Sequence, residues 1–113
     1  MKEKDQDTYR KYRILAYTTG QYRAYQNLVN QKIYDMALDS LISTIGRCEE
    51  YSSDAKELGC EGEISDIQAK AEEALEAFKI DTKKALEVYD MKDRTAYSKE
   101  IYQILDDAGL SEE

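Results

Sequence analysis

The chain has 113 residues, of which 42% are hydrophobic and 35% charged, a composition too apolar for a disordered chain and too polar for a membrane protein. Its net charge of −8 excludes nucleic acid as an expected partner, because an acidic surface repels phosphates. The length fits one domain, which we place over residues 1–113.

The first predicted element is a long helix over residues 7–31. Its apolar side chains recur at helical spacing, at Tyr9, Tyr12, Leu15, Ala16, Tyr22, Tyr25, Leu28 and Val29. The segment Thr18-Thr19-Gly20 interrupts it with poor helix formers. Because the apolar stripe stays in phase across this segment, we expect one helix there, with a kink or a break at Gly20 as the alternatives.

The second predicted helix covers residues 34–58 and ends at Gly59, a natural C-cap. Its apolar stripe consists of Tyr34, Ala37, Leu38, Leu41, Ile45, Cys48, Ala55 and Leu58. The gap around Lys32-Ile33 is so short that the two helices must pack antiparallel. The sequence therefore predicts a helical hairpin over residues 7–58.

Three shorter helices are predicted over residues 63–108. Ser65 to Gln68 has the spacing of a capping box for the third helix, and Asp81 and Asp93 can cap the fourth and fifth. Gly109 ends the last helix, and residues 109–113 are expected to form a frayed tail. Since no segment alternates like a strand, the predicted class is all-α.

Residues 34–45 read Tyr34-Asp35-x-Ala37-Leu38-x-x-Leu41-x-x-x-Ile45. This pattern resembles the start of the second helix of a tetratricopeptide repeat. The resemblance implies that Ala37 is the small residue at which the two helices of the hairpin approach each other, three residues after the aromatic Tyr34. It implies that Leu41 and Ile45 pack on the neighbouring helix. Leu28 would be the matching large residue of the first helix.

The resemblance covers about residues 21–47 and departs from the repeat pattern at several positions. Tyr25 stands where a small residue is usual, Thr44 replaces an alanine, and the chain contains no proline. No second copy follows, although a tandem array needs about three repeats for stability. The resemblance implies a single divergent hairpin that binds a protein or peptide on a helical surface, without catalysis.

The residue types of most catalytic and metal sites are missing. Without histidine, the chain lacks Ser-His and Cys-His catalysis. Cys48 and Cys60 do not have metal-ligand spacing, and the acidic pairs do not have calcium-loop spacing. We therefore predict no catalytic residue, no metal and no cofactor, with Cys48 as a small core residue. Cys60 is expected to be a loop thiol whose reactivity stays open.

One enzymatic alternative is a small all-α mutase, which holds a dianionic substrate electrostatically with charged side chains from several helices. Arg13, Arg23, Lys32, Arg47 and Glu50 supply the residue types. This alternative requires Arg13, Arg23 and Arg47 to converge.

The most distinctive composition lies at residues 9–26, YRKYRILAYTTGQYRAYQ, where five of the ten tyrosines stand among basic residues. Residues 1–32 carry a net charge of +4 and residues 33–113 one of −12. Tyrosine and arginine are enriched at binding hot spots. The candidate contacts are therefore Tyr17, Tyr22, Arg23 and Tyr25. The alternative is that the tyrosines pack in the core while the basic side chains pair with the acidic remainder.

The sequence favours a non-catalytic protein-interaction or scaffolding module whose partner is a protein or peptide, an acidic one being the best match to the basic stretch. Self-association as a homodimer through a free helix face is the second hypothesis. No apolar run approaches the ~18–20 residues of a membrane span, and no signal peptide opens the chain. We expect a cytoplasmic location. A juxtamembrane piece of a longer protein, facing an anionic membrane surface, stays open as an alternative.

Overall fold

The structure, a computed structural model, describes the backbone of residues 2–110 and the side chains of residues 5–110. This part of the chain forms five α-helices and no strand, so the predicted all-α class is confirmed. The helices are α1 (Lys2–Asn30), α2 (Tyr34–Leu58), α3 (Glu61–Ala74), α4 (Thr82–Tyr89) and α5 (Arg94–Asp107), with a 3₁₀ turn at Leu75–Phe78 after α3. Residues 111–113 of the predicted tail lie outside the described residues.

Helix α1 is continuous across Gly20, so the alternative of a break there is wrong. The Thr18 hydroxyl donates to the carbonyl oxygens of Ile14 at 2.9 Å and Leu15 at 3.3 Å. A buried threonine is thereby satisfied within its own helix. The helix also begins earlier than predicted, at Lys2.

The buried face of α1 differs from the predicted stripe. Ile14, Thr18 and Tyr25 are buried, whereas Tyr9 and Tyr12 are 62% and 69% exposed. At about 100° per residue, the three buried residues lie within about 40° of one another and the two exposed tyrosines on the far side. The hydroxyl group of a tyrosine can remain in water, whereas the side chain of isoleucine has no polar atom. The burial of Ile14 therefore decides which side of α1 faces the core.

Helix α2 is the centre of the fold, because α1, α3, α4 and α5 all contact it. Its buried residues are Ala37, Leu38, Leu41, Ile42, Thr44, Ile45, Gly46, Cys48 and Ala55. Helix α1 runs alongside it in the opposite direction, since Arg10 near the start of α1 approaches Asp54 and Glu57 near the end of α2. Of the residues singled out by the repeat resemblance, Ala37, Leu41 and Ile45 lie in the main core, and Leu28 and Tyr34 pack against it.

The predicted start of α3 at Ser65 is wrong. The helix begins at Glu61, with Cys60 as its N-cap residue, so that Ser65 and Gln68 lie within it. Gly59 ends α2 in the left-handed region at φ 77°, and the Cys60 amide donates to the Ala55 carbonyl at 2.9 Å. This tight reversal leaves no room for the loop that the capping box required.

Cys60 lies in the link between α2 and α3, as predicted, but its side chain is fully buried. It packs with Ile14, Cys48, Ala55 and Ile64 in a second, smaller core. Burial raises the pKa of the Cys48 thiol to about 12. Burial is also the main cause that raises the pKa of Cys60. Both thiols are free and protected from reagents.

The caps predicted for the last two helices are confirmed. The Asp81 carboxylate accepts from the Lys84 amide at 2.8 Å, at the start of α4. The Asp93 carboxylate accepts from the amides of Thr95 at 2.9 Å and Ala96 at 3.2 Å, at the start of α5. These caps depend only on neighbouring residues, which is why the sequence reveals them.

Helix α4 reaches α2 through a close contact at Gly46. A Cβ atom built on Gly46 would overlap the ring of Tyr89, whereas one built on Gly20 would meet no atom within 4 Å. The absence of a side chain at Gly46 is therefore what lets the Tyr89 ring lie flat against α2.

The two helical glycines should respond oppositely to alanine. Gly20→Ala should raise the free energy of unfolding by up to about 1 kcal/mol, because alanine favours helix and the site is open. Gly46→Ala should lower it by about 1–3 kcal/mol, because the new methyl group displaces Tyr89. Urea unfolding of both variants measures the difference. Equal stability of the wild type and Gly46→Ala would contradict this account of α4 packing.

Candidate functional site

The structure separates the four candidate contact residues. Tyr17 and Tyr22 lie on different flanks of α1, about 140° apart around the helix. Tyr25 is only 9% exposed, with its ring centroid 5.7 Å from that of Tyr22 and 6.4 Å from that of Phe78. Arg23 is exposed and forms no ion pair with any described residue. Tyr22 and Tyr25 therefore share one surface, Arg23 follows Tyr22 on the solvent side of α1, and Tyr17 lies on the other flank.

Tyr17 belongs to a group that we call the tyrosine–arginine cluster, with Arg47, Glu50, Tyr51 and Tyr89. The Arg47 guanidinium lies 4.9 Å from the centroid of the Tyr17 ring, and its Nη1 is 3.2 Å from a Glu50 carboxylate oxygen. The Tyr89 hydroxyl donates to the other Glu50 oxygen at 2.8 Å. Tyr17 and Tyr51 meet edge to face at 6.3 Å. The cluster joins α1, α2 and α4, and its charges are paired with each other.

Burial, followed by the hydrogen bond to Glu50, raises the pKa of Tyr89 to about 12. Burial lowers the pKa of Arg47, but Tyr89, Tyr17 and Glu50 outweigh it and leave that pKa raised. The fold therefore holds Tyr89 neutral and Arg47 charged. We assign this cluster to the attachment of α4 and α1 on α2.

Tyr89→Phe should lower the free energy of unfolding at neutral pH by about 0.5–1.5 kcal/mol, because the hydrogen bond to Glu50 is lost. The folded protein favours the neutral form of the Tyr89 phenol. The stabilisation from this group is therefore complete below the ordinary tyrosine pKa of about 10. This contribution to the free energy of unfolding is lost as the pH rises toward about 12, the pKa of Tyr89 in the folded protein.

The stability gap between wild type and Tyr89→Phe should therefore shrink across this alkaline range. Urea unfolding at several pH values measures it. Burial also raises the pKa values of Tyr25 and Tyr97. The free energy of unfolding of the Tyr89→Phe variant therefore still declines as the pH rises. A gap that stays constant through the alkaline range would refute the role given to Tyr89.

A groove of about 680 Å³ lies between α1 and α3 and contains two of the candidate residues. It is lined by Tyr22, Tyr25, Gln26, Asn27, Val29, Asn30, Lys70, Glu73 and Ala74. Its three carboxamide side chains each offer both hydrogen-bond donors and an acceptor, as a peptide backbone does. Lys70 and Glu73 add one charge of each sign. This lining suits a polypeptide ligand.

The exposed side of α1 continues this groove. Tyr12 and Arg23 lie near the same side, and Arg23 is one helical turn from Asn27 of the groove. The Arg13 guanidinium is 5.9 Å from the centroid of the exposed Tyr9 ring. Residues 8–30 contain four basic and no acidic residues. We call the groove and the exposed side of α1 together the α1/α3 face.

Sequence reasoning missed Tyr12 as a surface residue and missed the α3 half of the groove. The apolar stripe includes Tyr12, although the spacing of Ile14, Thr18 and Tyr25 marks a different inner face of the helix. Lys70 and Glu73 belong to a separate helix, and no local pattern links them to Tyr22.

A second exposed apolar patch lies where α5 meets the start of α2. Met36 and Tyr102 are 56% and 59% exposed there. The Tyr97 hydroxyl donates to the Asp39 carboxylate, and the Tyr102 hydroxyl donates to Asp35 at 3.4 Å. Both tyrosines thus hold α5 on α2, which gives this patch a structural role.

The arginines of the mutase alternative are not brought together. Arg13 lies over Tyr9, Arg47 lies over Tyr17, and Arg23 faces solvent about 15 Å along the helix from Arg13. Glu50 is already paired with Arg47 and Tyr89. Within the described residues, no group of three histidine, cysteine or acidic residues could hold a metal ion. None of the helices there has the length and apolar character needed to cross a membrane.

The tetratricopeptide resemblance of residues 21–47 stays a prediction after this description of the helices. Comparisons with protein-family models, with curated proteins and with solved structures found no match to this chain.

Proposed function

We propose that this chain is a non-catalytic interaction module that binds a protein or peptide at the α1/α3 face. The observation that carries the proposal is the groove itself, in which tyrosine and carboxamide side chains line one open channel between two helices. These side chains can bury area and bond to a peptide backbone at once. A tetratricopeptide-like use of a helical hairpin, in the cytoplasm, is part of the proposal.

The electrostatics support an acidic partner segment. The exposed side of α1 carries Arg13 and Arg23, and neither forms an ion pair with a described residue. Arg10 differs, since its guanidinium lies within 4 Å of carboxylates of Asp7, Asp54 and Glu57. A partner that brings carboxylates to α1 would find Arg23 uncommitted next to the groove, whereas Arg13 lines a separate cleft with Tyr17 and Tyr51.

The mutase alternative has less support, because its three arginines point to different surroundings. A scaffold without any ligand groove also has less support, because it would leave the tyrosine and carboxamide lining without a role.

A display library of random peptides, selected on the immobilised chain, tests the proposal. We expect selected peptides to be acidic and to shift the amide NMR signals of Gln26, Asn27 and Asn30 most. Tyr22→Ala should weaken a selected peptide about tenfold or more, as truncating a hot-spot tyrosine does. The reason is that Tyr22 contributes ring area to the groove.

Tyr102→Ala is the control, since it removes a tyrosine side chain from the Met36 patch and not from the groove. It should leave the affinity within about twofold. Peptides that map to Met36 and Tyr102, or that bind Tyr22→Ala as tightly as the wild type, would contradict the proposed site.

A further inference from the structure

We propose that the natural occupant of the α1/α3 face is a second copy of this chain, in a two-fold dimer that places the basic side of α1 on the acidic side of the partner's α3. This inference rests on the proposed function, because it names the partner of the same surface. It follows from the distribution of charge between two neighbouring helices.

The two helices carry opposite charge. Residues 8–30 of α1 contain four basic and no acidic residues, and residues 61–78, which include α3, contain six acidic and one basic residue. Each segment is therefore electrostatically complementary to the other. Complementary patches steer association and fix its register.

Part of this charge is already used within the chain. Arg10 is committed to acidic residues of α1 and α2, and the Glu72 carboxylate accepts from the Thr82 hydroxyl at 2.8 Å. In the described part of the chain, Arg23, Asp66 and Glu73 form neither an ion pair nor a side-chain hydrogen bond. These three are therefore among the charges of the two helices that a partner could meet.

The two helices also share one surface. Helix α3 contacts α1, and Glu73 lines the groove on the side opposite Tyr22. Asp66 lies two helical turns before Glu73, near the same side of α3. Arg23 on α1 therefore lies beside the acidic pair Asp66 and Glu73 on α3, and this arrangement is self-complementary under a two-fold rotation. Such a rotation sets Arg23 of each copy against the acidic pair of the other copy, which is the arrangement of an isologous dimer.

The area needed for stable association also favours this arrangement over the docking of one helix face alone. The 29 residues of α1 present a face of about 450 Å², and the 14 residues of α3 one of about 230 Å². A standard interface takes about 600–1,000 Å² from each partner, which α1 alone does not supply. With both helices, each copy contributes about 700 Å².

Sedimentation equilibrium of the reduced full chain, over a range of concentrations at low salt, tests the inference. We expect the mass to rise with concentration and to level off at twice the monomer mass. Arg23→Glu should raise the dimer dissociation constant about tenfold or more, since a two-fold dimer contains the lost contact twice. Glu73→Arg should do the same. The combined exchange of both residues should restore most of the affinity, because the ion pair is rebuilt with reversed polarity.

Arg94→Glu is the matched control, since it makes the same charge change at an exposed position of α5. It should leave the dissociation constant within about twofold, and circular dichroism should show every variant as helical as the wild type. A wild type that stays monomeric at every concentration overturns the inference, as does a mass that grows beyond the dimer. A failed rescue by the double exchange also overturns it.

The peptide experiment separates this inference from the proposed function. A monomeric chain that still binds selected peptides at Gln26 and Asn27 overturns the second copy alone. Peptides that bind only at the Met36 and Tyr102 patch overturn the site and the dimer together.

Discussion

All four other helices pack on α2, and its burial holds them together. Leu38, Leu41, Ile42 and Ile45 have no exposed surface, and α1, α3, α4 and α5 each cover part of this helix. Helix α2 therefore has little free surface to offer a partner. Any binding surface must be built from the outer sides of the helices that cover it, and α1 offers the longest of these.

The tyrosines divide into structural and exposed groups according to how their hydroxyl groups are satisfied. Tyr89 and Tyr97 donate to carboxylates of α2 and hold α4 and α5 in place. Tyr9 and Tyr12 are solvent-exposed on α1 instead. A tyrosine combines a large apolar ring with a polar end, so one residue type can serve both purposes. This ambiguity is why the tyrosine-rich stretch supports both a core role and a binding role.

What could be predicted from the sequence is what depends on neighbouring residues. The bounds of α2, its cap at Gly59 and the caps at Asp81 and Asp93 all follow local rules, and they agree with the structure. The start of α3 and the burial of Cys60 depend on how the chain reverses onto a distant core, so the predicted start at Ser65 is wrong and no local pattern indicates that Cys60 is buried. The candidate site follows the same division: Tyr22 and Tyr25 come from one stretch of sequence, whereas Lys70 and Glu73 join them only through the packing of α3 on α1.

The fold is built around α2, and we propose that it leaves the α1/α3 face free for association. Amide hydrogen exchange of the chain at low and at high protein concentration tests both parts at once. We expect the amides of α2 to exchange most slowly at both concentrations, because they open only with global unfolding. We also expect amides of α1 and α3 to gain protection as the concentration rises, while those of α5 do not change. Protection gained in α5 around Tyr102, or exchange in α2 as fast as in α5, would contradict it.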